Sequence, residues 1–153
     1  MKLEFPSALR RRMRGHLGRA GRREVGGILM AEQISPGHFR LVDFTLDDRP
    51  GGHADFVRSV EEHEAALQRF YKRSGSDFNR FNYLGEWHSH PNHPPHPSGV
   101  DIASMLELIE GERNIPFALL LIVRKAWWRR MLATATMFQR GQPATFVAIV
   151  ECE

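Results

Sequence analysis

A histidine- and proline-rich stretch near the middle of the chain reads Gly85-Glu-Trp-His-Ser-His-Pro-Asn-His-Pro-Pro-His-Pro-Ser-Gly-Val-Asp101. It begins as an extended segment, passes through a loop that prolines stiffen, and ends where Ser98 opens an amphipathic helix. Alternate side chains of a strand point to the same face, so His88 and His90 are predicted to project together. Asp101 is predicted to lie in the first turn of the helix.

Two imidazoles and one carboxylate, delivered from a strand end and a helix start, make three of the four ligands of a tetrahedral zinc ion. The fourth position is then left for water, as in catalytic rather than structural zinc sites. A structural interpretation competes, because Ser98-Gly-Val-Asp101 is also close to a helix capping box. His-x-His can likewise arise by chance in a chain with eight histidines. Each half of the pattern alone leaves both interpretations open.

A glutamate motif far upstream favours the zinc interpretation. The spacing of His88, His90, Ser98 and Asp101 resembles the JAMM signature of the MPN (Mov34/MPN/PAD-1) metalloprotease family, which is His-x-His, seven residues, Ser, two residues, Asp. The family also carries Glu-x-Gly-Gly-x-Leu on an early strand, and this chain reads Glu24-Val-Gly-Gly-Ile-Leu29. The conjunction of both motifs in the right order is what makes the zinc site the expected one.

The resemblance implies a role for each residue of the motif. His88, His90 and Asp101 would bind one Zn²⁺ per chain, and the bound water would become acidic enough to supply hydroxide near neutral pH. Glu24 would be the general base that takes the proton of this water and later returns one to the departing amine. Ser98 would steady the oxyanion that forms when the carbonyl is attacked.

Other residues near the motif have less definite predictions. Glu86 shares strand parity with the two motif histidines, so it is predicted either to orient one of them or to make a simple cross-strand pair. Gly26 and Gly27 would weaken a strand, and their better use is close backbone approach to a neighbouring strand or to an extended substrate tail added at a strand edge. His93 and His96 are predicted to be exposed to solvent or to face the substrate, rather than to bind metal.

Hydrophobic periodicity and turn signals give the order helix, two strands, helix, strand, helix, strands. The predicted helices cover residues 7–17, Ser59 to Arg73 with a capping box at Ser59-Val-Glu-Glu62, and a segment from Ser98 to Gly111; the predicted strands cover 24–31, 39–46, 81–88, 117–123, 127–138 and 145–150. This order predicts an α+β fold with α/β-like layers. The resemblance implies an MPN/JAB-type curved mixed β-sheet flanked by helices, with a cytidine-deaminase-like appearance. One domain is expected over residues 1–153, with its diagnostic part at about 20–135.

Periodicity also predicts which side chains are buried. The buried stripes of the three helices are predicted to be Leu9, Met13 and Leu17; then Val60, Leu67, Phe70 and Tyr71, with His63 at the edge as a packing residue; then Ile102, Met105, Leu106 and Ile109. Trp87 points away from the histidines and is predicted to lie in the core. Trp127 and Trp128 are neighbours on a predicted strand, so one is expected to pack inward and the other to face outward.

Charge and cysteine content indicate which partners and which cellular compartment to expect. The net charge is +3, with an arginine-rich amphipathic helix in residues 1–20, which predicts a solvated face or a docking surface for an acidic partner. Nucleic acid is an unlikely partner because no stacking aromatics are interleaved with the arginines. Cys152 is the only cysteine, so a reducing, cytoplasmic setting is expected. No secretory signal is recognisable, and the longest apolar run, Pro116–Val123, is too short to span a membrane.

The segment Tyr83-Leu-Gly-Glu-Trp-His-Ser-His-Pro91 narrows the resemblance to small bacterial members found beside E1/E2-like conjugation enzymes, including those of CBASS-type anti-phage operons. The implied activity is that of a zinc-dependent isopeptidase or peptidase, which hydrolyses the amide bond after the carboxyl-terminal tail of a ubiquitin-like or similarly conjugated protein. Two alternatives remain, a peptidase of the same fold acting on a sulfur-carrier protein in cofactor or cysteine biosynthesis, and a non-catalytic MPN scaffold.

Overall fold

The structure is a computed structural model that describes residues 1–47, 60–111, 115–128 and 130–153, with the backbone alone at 60 and 61. The helices are α1 (Ser7–Ala20), α2 (Val60–Arg73) and α3 (Gly99–Glu110). The strands are β1 (Lys2–Pro6), β2 (Gly26–Ser35), β3 (His38–Phe44), β4 (Phe81–Ser89), β5 (Phe117–Lys125), β6 (Met131–Gln139) and β7 (Thr145–Cys152). The capping box predicted at Ser59 lies outside the described residues.

The strands form a closed barrel in the order β1-β3-β2-β4-β5-β6-β7. The α+β prediction is therefore confirmed, whereas the layered, cytidine-deaminase-like description is only partly right. The difference lies in β1, which the sequence analysis did not predict. It pairs in parallel with β3, where Lys2 faces His38, and with β7, where Leu3 faces Ile149. These two ladders join the ends of what would otherwise be an open sheet.

Strand β5 carries two apolar faces, and each face packs against a different helix. Leu119 and Leu121 lie in one buried cluster with Met13 of α1. Leu120 and Ile122, on the opposite face, lie in a second cluster with residues of α3. A strand that is covered on both faces reads as a continuous apolar run, as β5 does. The face of β5 beneath α3 is the one that continues onto the motif histidines of β4.

The buried side of α3 differs from the predicted one. Met105 and Ile109 are buried as predicted, but Ile102 is 41% exposed and Leu106 is 37% exposed. The buried side instead begins at Asp101, one turn before Met105. Apolar residues occur on nearly every side of this helix, so periodicity does not determine which side faces the sheet.

The region around the two neighbouring tryptophans also differs from the prediction. Strand β6 begins at Met131, so Trp127 and Trp128 lie in the turn that precedes it. Both are exposed, which contradicts the expectation that one packs inward. Trp87 is buried as predicted, and its indole N–H donates to the Thr45 carbonyl at 2.8 Å. His63 is buried on α2 and contacts the Thr45 hydroxyl through Nδ1 at 2.8 Å, in keeping with a packing role.

Among the described residues, no helix combines the length and the apolar character needed to cross a membrane.

Candidate metal centre

The motif histidines lie at the end of β4, between two neighbouring strands. His88 pairs with Gly26 of β2 on one side and with Ile122 of β5 on the other. The His90 N–H donates to the Val123 carbonyl at 2.9 Å, which extends the contact with β5 beyond the end of β4. Both imidazoles are buried. The strand alternation predicted from the sequence therefore places the two rings on one face, and hydrogen bonds on both sides hold them there.

The third residue, Asp101, lies in the first turn of α3 and forms the capping box that was the competing interpretation. Its backbone N–H donates to the Ser98 hydroxyl at 3.2 Å, and its carboxylate accepts from the Ser98 N–H at 2.6 Å. The capping role is thus real, and it does not exclude a second role. The box fixes the Asp101 carboxylate in one orientation, and that orientation faces the histidines.

Three ligand atoms converge on one point. His88 Nε2 lies 3.0 Å from His90 Nε2 and 3.3 Å from one Asp101 oxygen, while His90 Nε2 lies 3.5 Å from the other Asp101 oxygen. In a tetrahedral zinc site with bonds of about 2.0–2.1 Å, adjacent ligand atoms are about 3.3 Å apart. The separations observed are those of three ligands arranged around one ion.

The hydrogen bonding of His90 favours a cation at this point. Its Nδ1 lies 2.9 Å from the Pro94 carbonyl, which can only accept, so Nδ1 carries the proton. In a neutral imidazole the lone pair is then on Nε2, the atom that faces His88 and Asp101. A buried carboxylate beside this lone pair is costly unless a positive charge compensates it. The residues His88, His90 and Asp101 could therefore hold a metal ion.

Glu24 lies next to this cluster through the backbone. The Val25 N–H donates to the Ser89 hydroxyl at 3.0 Å, and the Ser89 N–H donates to the Val25 carbonyl at 2.8 Å. Since Gly26 pairs with His88, Glu24 lies opposite His90 when the register continues. Glu24 itself lies before the start of β2 and is half-buried. Its place on the face of the metal cluster is what this register leads us to expect, since directly opposed residues share a face of a sheet.

The two glycines after Glu24 have a structural explanation. A Cβ at Gly26 would lie 2.5 Å from the Trp87 carbonyl oxygen, and one at Gly27 would lie 2.2 Å from the Thr45 carbonyl oxygen. The close approach is thus made to neighbouring segments of the chain. β4 flanks both glycines on one side, and the segment that follows β3 bridges to Gly26 through Asp47 on the other, which leaves no strand edge there for an added tail. The predicted strand addition at these glycines is therefore corrected.

A cavity of about 730 Å³ opens beside the cluster. Glu86 and His88 line it, so Glu86 is on the histidine face as its parity predicted. The other walls come from α2, α3 and the starts of β4 and β5, and they include Leu67, Tyr71, Tyr83, Leu108 and Phe117. The sequence analysis did not find this cavity, because its walls come from segments that only the fold brings together.

The loop between the ligands is held by contacts that the sequence analysis also missed. The Thr134 hydroxyl of β6 donates to the Pro95 carbonyl, and the Pro94 carbonyl orients His90. Backbone carbonyls leave no signal in a sequence, so neither contact was predictable. His93 and His96 are both exposed, and the His93 ring centroid lies 6.3 Å from that of His90.

Comparisons with known proteins agree with this geometry. A family described as prokaryotic homologs of the JAB domain matches residues 6–137. Proteins named CD-NTase/cGAS isopeptidase are similar: one from Vibrio cholerae is 28% identical over 71% of this chain and 60% of its own length, and one from Enterobacter hormaechei is 32% identical over 59% of this chain and 48% of its own length. A third, from Escherichia coli, is 46% identical over 30% of this chain and 28% of its own length. The chain thus spans less than two thirds of these relatives.

A solved structure gives independent support for the fold. The solution structure of a protein from Desulfitobacterium hafniense superposes with a TM-score of 0.69 at 19% identity, covering 99% of this chain and 93% of the other. Because the family match extends over most of the chain, from the start of α1 into β6, the chain belongs to the prokaryotic JAB-domain family, a branch of the JAB/MPN proteins.

Proposed function

We propose that this protein is a zinc-dependent isopeptidase or peptidase that hydrolyses the amide bond after the carboxyl-terminal tail of a ubiquitin-like or similarly conjugated protein. The observation that carries the proposal is the convergence of His88, His90 and Asp101 at ligand separations, in a buried position at the end of a cavity. The name isopeptidase, which its relatives carry, supports the reaction class. An intact ligand set argues against a non-catalytic scaffold.

The metal ion is proposed to be zinc, one per chain, since two imidazoles and a carboxylate form a typical catalytic zinc donor set. When bound, it would supply an activated water at neutral pH and polarise the carbonyl under attack. Glu24 is proposed to face the same site, where its carboxylate would take a proton from a water molecule and return it to the leaving amine. Its half-buried position and the hydrogen bond between its neighbour Val25 and Ser89 support this role.

Ser98 has a second role in this proposal. Its hydroxyl oxygen accepts the Asp101 N–H, and a hydroxyl retains its own hydrogen for donation. Ser98 is exposed at the start of α3, where that hydrogen can reach an oxyanion formed next to the ligands. The same residue would then both fix the orientation of Asp101 and stabilise the transition state.

The cavity beside His88 suits an extended tail. Its volume of about 730 Å³ is within the range of specific ligand pockets, and its walls combine tyrosines and aliphatic side chains with Glu86 and the Asn82 amide. A tail lying there would present its last carbonyl to the ligand cluster. Glu86 is proposed to orient a histidine or the tail.

The proposed partners follow from the relatives. Their names place them with CD-NTase/cGAS proteins, so a conjugated protein of a CBASS-type system is the proposed substrate, with E1/E2-like enzymes encoded nearby. The single-domain assignment over residues 1–153 remains a prediction.

The proposal is tested by trapping the substrate. Cells carrying Glu24→Gln are expected to accumulate conjugates that mass spectrometry identifies by the branched or fused peptide at the scissile bond. Glu4→Gln, which changes a carboxylate far from the cluster, is the matched control. The purified wild-type protein should cleave the trapped conjugate and stop when a chelator is added. Equal conjugate levels in the two variants would contradict the proposal.

A further inference from the structure

The turn between β5 and β6 exposes a large apolar surface that the proposed chemistry does not use. Trp127 is 86% exposed and Trp128 is 91% exposed, and Leu132, at the start of β6, is 50% exposed. We call these three residues the tryptophan tip. Two adjacent tryptophans in full contact with water are costly for a soluble surface, and tryptophan is enriched at the centres of protein interfaces.

The backbone conformation at the tip adds to this cost. Trp128 has a φ of 54°, in the left-handed region that bulky residues rarely adopt. Glycine or asparagine would turn the chain there without strain. A strained bulky residue that projects into solvent is a feature whose explanation is to be sought in function rather than in folding.

The tip lies at the same end of the sheet as the metal centre. β4 and β5 are parallel, and His90 donates to the carbonyl of Val123. Trp127 follows Val123 by four residues, which at about 3.3 Å per residue is a reach of about 13 Å. Leu132 and Thr134 share a face of β6, and Thr134 binds the loop that connects the metal ligands. The tip therefore stands beside the entrance to the proposed active site.

Charge narrows the kind of partner. The segment from Arg124 to Leu132 contains four arginines or lysines and no aspartate or glutamate. Lys125 and Arg130 are exposed on either side of the tryptophans. An apolar surface between cations is complementary to an apolar patch that acidic residues surround.

Resting on the proposed function, we infer that the tryptophan tip docks the protein on the amine side of the scissile bond, through an apolar patch with an acidic rim on that protein. The cavity proposed for the tail runs from His88 towards the starts of β4 and β5, at Tyr83 and Phe117. The tip lies beyond the ends of these strands, so a protein docked there is on the other side of the scissile bond from the tail. A lipid bilayer is a poorer match, because inserting the tip would turn the entrance of the active site towards the membrane and block the approach of a folded substrate.

The test compares two probes that share one scissile tail: the conjugate trapped with Glu24→Gln, and a short peptide of the same tail with an aminocoumarin leaving group. In a Trp127→Ala, Trp128→Ala double variant, KM for the conjugate should rise roughly 30-fold or more, as expected for loss of interface hot spots. The kcat for the conjugate and the kinetics of the peptide should not change. Phe146→Ala is the matched control, since Phe146 is 76% exposed and lies on β7 opposite Thr136, away from the start of β6.

A binding measurement keeps the inference separate from catalysis. Titrating the conjugate into Glu24→Gln protein should shift the tryptophan emission to the blue, and this shift should vanish when Trp127 and Trp128 are both replaced by Phe. Unchanged KM and emission would overturn the docking inference alone. The docking inference would also be overturned if replacing the two tryptophans weakened only binding to anionic vesicles, binding to single-stranded oligonucleotides or self-association. Failure to find any conjugate in the trap would overturn both proposals together.

Discussion

Two clusters in the described part of the chain combine histidine with a carboxylate and differ in how their polar atoms are arranged. At the surface of β1 and β3, Glu4 accepts from His38 Nε2 at 2.7 Å and from Arg40 Nε at 2.7 Å. Every strong acceptor there faces a donor. In the metal centre, His88, His90 and Asp101 turn their ligand atoms towards one shared point.

This difference shows what separates a structural ion-pair cluster from a metal site. The Glu4 cluster is closed by the guanidinium of Arg40, so it needs no further cation. The Asp101 carboxylate instead faces two imidazoles, which hold a metal only when they are neutral. Both clusters combine histidine with a carboxylate, and they differ in the arginine of the first and in the shared ligand point of the second.

The largest expected effect comes from the carboxylate next to the metal centre. Glu24→Gln should lower kcat for the trapped conjugate by roughly 10²–10⁴-fold, the usual contribution of a general base. Glu4→Gln should leave kcat unchanged, because that carboxylate serves the other cluster. Steady-state kinetics on the two purified variants measures both. A Glu24→Gln enzyme with the wild-type rate would remove Glu24 from the mechanism.

The second comparison concerns stability. A metal that binds only the folded state stabilises it by about 2.7–4.1 kcal/mol at 100–1,000 times its dissociation constant. Urea unfolding with and without a chelator should therefore show a loss of about this size in the wild type. His88→Ala should abolish the chelator effect, and His38→Ala should retain it. An equal response in the two variants would mean that the buried cluster does not bind the metal.

A smaller effect is expected at the helix cap. Ser98→Ala removes the acceptor of the Asp101 N–H and should lower the free energy of unfolding by about 1 kcal/mol. Ser98→Asn can still cap the helix but has no hydroxyl. If Ser98 also stabilises the oxyanion, the Asn variant should keep its stability and still lose kcat. Full activity in a stable Asn variant would restrict Ser98 to capping.

The smallest effect is a pH dependence of the surface cluster. Hydrogen bonds from Arg40 and then His38 lower the pKa of Glu4 below its usual 4.5. A carboxyl with a depressed pKa stabilises the fold above its unfolded-state pKa, and the contribution is lost as the pH falls through the folded-state pKa. Glu4→Gln should therefore flatten the acid side of the stability curve below about pH 4.5, measured by thermal unfolding at a series of pH values. An unchanged acid limb would contradict the pairing.

Most of the site could be predicted from the sequence, because the patterns that place His88, His90 and Asp101 are local. Strand parity placed His88 and His90 together, and the start of α3 placed Asp101 in a first turn. The position of Glu24 was not local, and it came from the family resemblance. The carbonyl of Pro94 and the hydroxyl of Thr134 were missed because their roles exist only after the loop has folded against β6.

The fold was less predictable where pairing decides the structure. β1 alternates buried Leu3 and Phe5, but a five-residue strand is stable only through its parallel ladders with β3 and β7. Those partners lie more than 30 and more than 140 residues away, so no local window contains them. Trp127 and Trp128 fell within the predicted strand 127–138, whereas the structure places them in the turn before β6. Aromatic residues favour strands, so their residue type does not signal this turn.

Elemental analysis of the wild type, Glu24→Gln and His90→Ala proteins, purified in parallel, tests the central claim most directly. About one zinc per chain is expected in the first two proteins and almost none in the third, since only His90 is a ligand among the residues changed. A wild-type protein that takes up no divalent metal, or a His90→Ala protein that keeps its full complement, would contradict the assignment of His88, His90 and Asp101 as the metal centre.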